Sequence, residues 1–214
     1  MDENQLAERF SKIWLNYAGA QAQPAPIWDM IKRHYGEPHR FYHTLNHLSQ
    51  CLGELDAARG KVEEFDATEM SIWFHDIIYQ YGAKDNESLS AHTFKDLAAP
   101  HMAADFVDRV CEFIIATKHT GNAQDIGEAY MVDIDLSGFG LPWESYLADS
   151  NALRKEAPNV SDAQYYSGKL RFLDALLSWK KLFQTDDFND RLESRARENI
   201  KRYSTDLRAQ GFEA

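Results

Sequence analysis

Cysteine is scarce in this chain, and sulfur is not what holds it together. Its two thiols, Cys51 and Cys111, lie in stretches with helical spacing. The expectation is therefore reduced cysteines in a cytoplasmic protein, not a disulfide framework. Long apolar runs are missing too. No stretch approaches the roughly 20 consecutive apolar residues that span a bilayer, so no membrane partner is expected. The opening MDENQLAERF is acidic and amphipathic, unlike a secretory signal or a transit peptide. Positive charge is in short supply: 23 Lys and Arg stand against 34 Asp and Glu, for a net charge of -11. A general nucleic-acid binder needs a basic face to neutralise phosphates, and the bulk charge argues against one. RLESRARENIKRY near the end is locally basic, but its charges alternate in sign, as on a solvated helix face. Strand patterns are also rare. FIIAT and MVDID have strand-like composition, yet neither has a neighbouring hairpin partner with turn chemistry.

What remains is helical periodicity. Leu6, Phe10, Ile13, Trp14 and Tyr17 mark one face of a first helix. PAPIWDMIKRHYG opens on prolines and closes on Gly36, as helix starts and stops do. FYHTLNHLSQCLGELDAARG carries Leu45, Leu48, Leu52 and Leu55. DATEMSIWFHDIIY begins on Asp66 with Glu69 three residues later, which predicts a capping box. DNESLSAHTFKDLAA and DFVDRVCEFIIATKHTG follow as amphipathic helices, and GNAQDIGEAYMVDIDLSGFGLPW reads as a loop region. SDAQYYSGKLRFLDALLSWKKLF and DDFNDRLESRARENIKRYSTDLRAQ are helical by spacing. No internal repeat or low-complexity tract interrupts them. The fold expected is all-α, a single-domain helical bundle over residues 1–214. Bundles place ligands in their interior, on side chains from facing helices.

TEMSIWFHDIIYQYG carries the chemical question. Ile72, Trp73, Phe74, Ile77 and Ile78 make a helix apolar nearly all round, which belongs inside a fold. Yet His75 and Asp76 lie within it, where ionisable groups are costly unless paired or bound to metal. Other such groups flank segments that look buried. RFYHTLNHL puts His43 and His47 at i and i+4, one turn apart on one helix face. VDIDLSGFG holds Asp133 and Asp135, and ATKHTG holds His119 at the end of an apolar helix. A mixed imidazole and carboxylate set suits a divalent ion such as Mn, Fe, Co, Ni or Zn, or Mg if carboxylates dominate. One ion or two remain open.

The order His, His-Asp, Asp on helical segments resembles the HD superfamily of metal-dependent phosphohydrolases. YHTLNH, WFHDIIY, DNESLSA and DIDLSGFG, in that order, are similar to a bacterial branch of that superfamily, over most of the chain from Tyr35 onward. The resemblance implies an HD-type bundle with a metal-site core over about 35–140 and C-terminal helices over about 142–210. It implies His43, His75, Asp76 and Asp135 as metal ligands, with His47 the alternative to His43 and Asp133 the alternative to Asp135. Asp76, His47, His119 and Glu87 are candidates for catalytic roles, and Arg40 and Lys118 for a phosphate clamp. The implied activity is hydrolysis of a phosphate ester of a nucleotide or similar small molecule. The chain has no Gly-Tyr-Pro signature, and Ile77-Ile78-Tyr79 follows the His-Asp pair where many members have Gly-Lys. Two other readings stay open: a di-iron HD-type oxygenase, and a non-catalytic ligand-binding protein that keeps the metal site. Oligomeric state is open between monomer and homodimer.

Overall fold

The helix Phe65–Phe74 explains the arrangement of the first half of the chain. Ala67 to Phe74 are all buried in it, so it needs neighbours on every side. A computed structural model describes all 214 residues and supplies those neighbours. The helices in chain order are α1 (Glu3–Ala18), α2 (Pro24–Tyr35), α3 (Leu45–Ala57), α4 (Phe65–Phe74), α5 (Asn86–Ala98), α6 (Ala104–Ala116) and α7 (Ile126–Leu136). A 3-10 turn over Ser137–Gly140 leads to α8 (Trp143–Lys155), α9 (Asp162–Ser178) and α10 (Asp186–Ala209). No strand occurs. No helix is long and apolar enough to cross a membrane, and both cysteines are free thiols. The helices fall into two compact units, Met1–Asp135 and Leu136–Ala214.

In the first unit, α1 starts on a capping box in which the Asp2 side chain accepts from the Gln5 backbone and Gln5 returns the bond. Its stripe of Leu6, Phe10, Ile13 and Trp14 is buried. Phe10 meets Trp28 of α2 and, edge-on at 5.6 Å between ring centres, Trp73 of α4. Phe74 touches Phe94 of α5 at 5.0 Å. Burying aromatic side chains of this size dominates core energetics.

Three local expectations are corrected, each for a physical reason. The Asp66–Glu69 box does not form: Asp66 accepts from the Tyr17 hydroxyl, and Glu69 is held by Arg9. Tertiary partners have outbid the cap. α4 ends at Phe74, so His75 and Asp76 lie at and just beyond its end rather than inside a helix running to Tyr79. The loop region contains α7. Asp125 starts it, its carboxylate accepting from the backbones of Gly127 and Glu128. Tyr130, Met131, Val132 and Ile134 are all buried, which erases the amphipathic period that would have marked a helix. MVDID and FIIAT are accordingly helical.

In the second unit, α10 buries Phe188, Leu192, Ala196, Ile200 and Tyr203. The 3-10 turn packs on it closely: a Cβ added to Gly140 would lie 2.7 Å from Leu192 Cβ. Only glycine permits that approach. Asn199 donates to the carbonyls of Phe139 and Leu141 on either side.

Candidate metal centre

Four side chains far apart in the chain meet inside the first unit. Thr44 caps α3, its hydroxyl accepting from the Asn46 backbone, and His47 follows in the first turn. His75 is the residue that ends α4. Asp76 is next, and Asp135 comes from the last turn of α7. One ligand atom from each lies within 4.8 Å of the others, a group that could hold a metal ion. His47 Nε2 is 3.1 Å from His75 Nε2 and 3.2 Å from Asp135 Oδ1. His75 Nε2 is 3.0 Å from Asp76 Oδ2 and 3.5 Å from Asp135 Oδ1.

The donor set fits a cation. His75 Nδ1 lies 2.9 Å from the Ile72 carbonyl oxygen. A carbonyl only accepts, so Nδ1 carries the proton, and in the neutral ring Nε2 faces the cluster with its lone pair free. That is how metal-binding histidines are usually oriented. Ligand atoms about 2.1 Å from a transition ion stand roughly 3.0–3.4 Å apart around it, close to the separations found. Burial by itself would lower the His75 pKa, but Asp76 and Asp135 outweigh it and push it well up. Burial would likewise raise both carboxylates. His75 and His43 nevertheless hold Asp76 down, and His119, His47 and His75 hold Asp135 well down. Two half-buried carboxylates that stay ionised make a site for positive charge.

Other predicted residues are sorted by the same geometry. His43 is not one of the four. It precedes the Thr44 cap and so lies outside α3, which removes the expected i, i+4 face. Its Nε2 reaches Asp76 Oδ2 at 3.8 Å, and its ring stacks on Tyr79 at 3.9 Å. Asp133 is also buried but not among the four. Two residues apart on a helix face nearly opposite ways, so α7 can deliver only one of its two aspartates. His119 Nε2 donates to Asp135 Oδ2 at 2.9 Å, from a backbone with φ of 51° that non-glycine residues seldom adopt. Its Nδ1 is buried without a hydrogen-bond partner. Glu87 is half-buried in the first turn of α5 and is not one of the four residues of the group. Lys118 donates to Ser88 Oγ at 2.7 Å. Arg40 is corrected outright as a phosphate clamp. Its side chain is fully buried, with donors on Glu37 and on the carbonyls of Asp76 and Ile77.

Four contributors were not among the candidate site residues, although two of them lie in the DNESLSA block. Tyr35 accepts from the Asp76 backbone N–H. Cys51 places its sulfur 3.8 Å from His47 Nδ1; burial pushes this thiol well up, with Asp135 and Asp76 adding to the effect, so it stays neutral. Asn86 and Ser90 explain the DNESLSA block. Ser90 exchanges bonds with the backbone of Ile78, and Asn86 with that of Gln80. Their i, i+4 spacing on α5 puts both on the segment that follows the His-Asp pair. Comparison with family models, curated proteins and solved structures finds no match.

Proposed function

We propose that the chain is an HD-type phosphohydrolase that uses a divalent ion held by His47, His75, Asp76 and Asp135. The observation that supports this most directly is the meeting of two buried imidazoles and two half-buried carboxylates from three segments of the chain in one group. The order of the quoted motifs supports the HD-type assignment. The substrate proposed is a small phosphate ester, such as a nucleotide. A divalent ion in this place supplies Lewis-acid polarisation and offsets phosphoryl charge.

The chain's own residues divide the remaining work. His75, tied through Nδ1 to Ile72, and His47 hold their rings by contacts already described. Asp76 keeps about 15% of its side chain exposed, which leaves it reachable as a general base. His119 steadies Asp135 through its Nε2 bond. His43, stacked on Tyr79, stands beside Asp76, where it can meet a substrate oxygen. A second reading, a di-iron oxygenase of HD type, is favoured by one feature. Each carboxylate of the group has a further imidazole beside it, His43 at Asp76 and His119 at Asp135.

Metal analysis of the purified protein, followed by a phosphate-release screen of nucleotides with Mn, Mg, Co and Ni, tests the proposal. Phosphate release that depends on added metal and disappears in His75→Ala and Asp76→Ala supports it. Equal release by these variants refutes the site. Stoichiometric iron with visible absorption and oxygen consumption moves the assignment to the second reading.

A further inference from the structure

We infer that Arg40 is a positioning residue for the metal centre: its buried guanidinium orients the Asp76 carboxylate by holding the peptide groups that follow it. The inference rests on the proposed metal site and concerns how that site is built. α4 ends at Phe74, so no next helical turn supplies donors to the carbonyls beyond it. Arg40 takes over. Nη1 donates to the Asp76 carbonyl at 2.6 Å and Nη2 to the Ile77 carbonyl at 3.0 Å. Nε donates to Glu37 Oε2 at 2.9 Å.

On the other side of Asp76, the backbone N–H donates to the Tyr35 hydroxyl at 3.3 Å. Tyr35 therefore holds the peptide plane before the Asp76 Cα, and Arg40 the plane after it. Fixing both planes fixes φ and ψ at that residue. The direction of the Cα–Cβ bond, and with it the reach of the carboxylate, follows.

Stability alone is a poor reason for this arrangement. Burying a whole guanidinium is costly, and a buried ion pair is weak support for a fold. The planar fork does something a point charge cannot, because it serves two carbonyls one residue apart at fixed angles. Lysine has the charge but not the fork. The second unit offers an internal control. Arg154 makes a comparable clamp, donating to the carbonyls of Ala157 and Val160 and to the Asp162 carboxylate, and it holds no residue of the four-residue group.

The test measures Mn2+ affinity by titration calorimetry at fixed pH, and the melting temperature in EDTA, for Arg40→Ala, Arg40→Lys, Tyr35→Phe and Arg154→Ala. Arg40→Ala and Arg40→Lys are expected to weaken Mn2+ binding about 10- to 100-fold, as loss of supporting contacts around metal ligands does. Tyr35→Phe, which removes one atom, should weaken it less. Low-millimolar guanidinium should restore binding in Arg40→Ala, where it can fill the gap, and not in Arg40→Lys. Arg154→Ala should lower the melting temperature and leave Mn2+ affinity unchanged. If Arg40→Ala does not fold, Arg40→Lys and Tyr35→Phe decide. Wild-type protein that binds no Mn2+, Co2+ or Zn2+ overturns the metal reading and this inference together. Wild-type protein that binds while every Arg40 and Tyr35 variant binds as well overturns this inference alone.

Discussion

The two units differ in one cluster: both tie polar side chains to backbone, but only the first gathers imidazoles and carboxylates on one another. In the second, three polar side chains reach main-chain groups, and two of them, Arg197 and Glu193, also pair with each other. Asn199 serves Phe139 and Leu141, Arg197 serves Leu177 and Trp179, and Glu193 accepts from the backbones of Leu182 and Phe183. These contacts tie helices to the turns beside them. In the first unit, His47, His75, Asp76 and Asp135 meet one another, with Ile72 and His119 holding two of them from outside. That set brings two carboxylates held in their ionised form against two imidazole rings. A buried polar group satisfied by backbone is architecture; a group of ionisable side chains satisfied mainly by each other invites a ligand.

The comparison predicts that damage to the two units separates cleanly. The largest effect is expected at His75. At a free ion concentration of 100 times Kd, binding should stabilise wild-type protein by about 2.7 kcal/mol. That gain should vanish in His75→Ala, as read by thermal melts with and without Mn2+. In the second unit, Gly140→Ala must push Leu192 away and should cost about 1–3 kcal/mol. Urea denaturation measures it, and the ion-dependent stabilisation should survive. If Gly140→Ala abolished ion binding, the two units could not be treated separately.

Thr44→Ala removes the cap of the helix that carries His47 and should cost about 1 kcal/mol. Thr44→Ser should recover most of it in the same melts. The smallest effect is a pH dependence. Burial tends to raise the Asp56 pKa, but hydrogen bonds from Arg9 and Arg59 more than reverse this and hold it below its ordinary value. A carboxylate with a depressed folded pKa stabilises above its unfolded pKa, near 4, and loses that contribution as pH falls through the folded value. Asp56→Asn should therefore lower the melting temperature slightly at pH 7, and the difference from wild type should shrink by pH 3. The bridge is partly exposed, so solvent screening keeps the effect small.

Much of the helical plan was legible in the chain. The α1 stripe, the proline start of α2 and the spacing in α9 and α10 are local signals, written by one residue's relation to the next three or four. α7 was not legible, because a helix buried on most sides loses its polar face and so its period. The family resemblance put His43 ahead of His47, and spacing could not separate two histidines one turn apart, because the Thr44 cap decides where the helix begins. Arg40 drew a phosphate role from its charge, whereas its place was decided by carbonyls more than 30 residues away in the chain.

By itself the sequence determined that this is a helical chain with a surplus of acid, two free thiols, and a His-Asp pair in its most apolar stretch. Those are properties of neighbouring residues and of composition. Which histidine faces the pair, which of two aspartates on α7 joins it, and what Arg40 holds were decided only by tertiary structure. Each depends on where a helix stops and which way its last turn points, and such endpoints are set by partners distant in the chain.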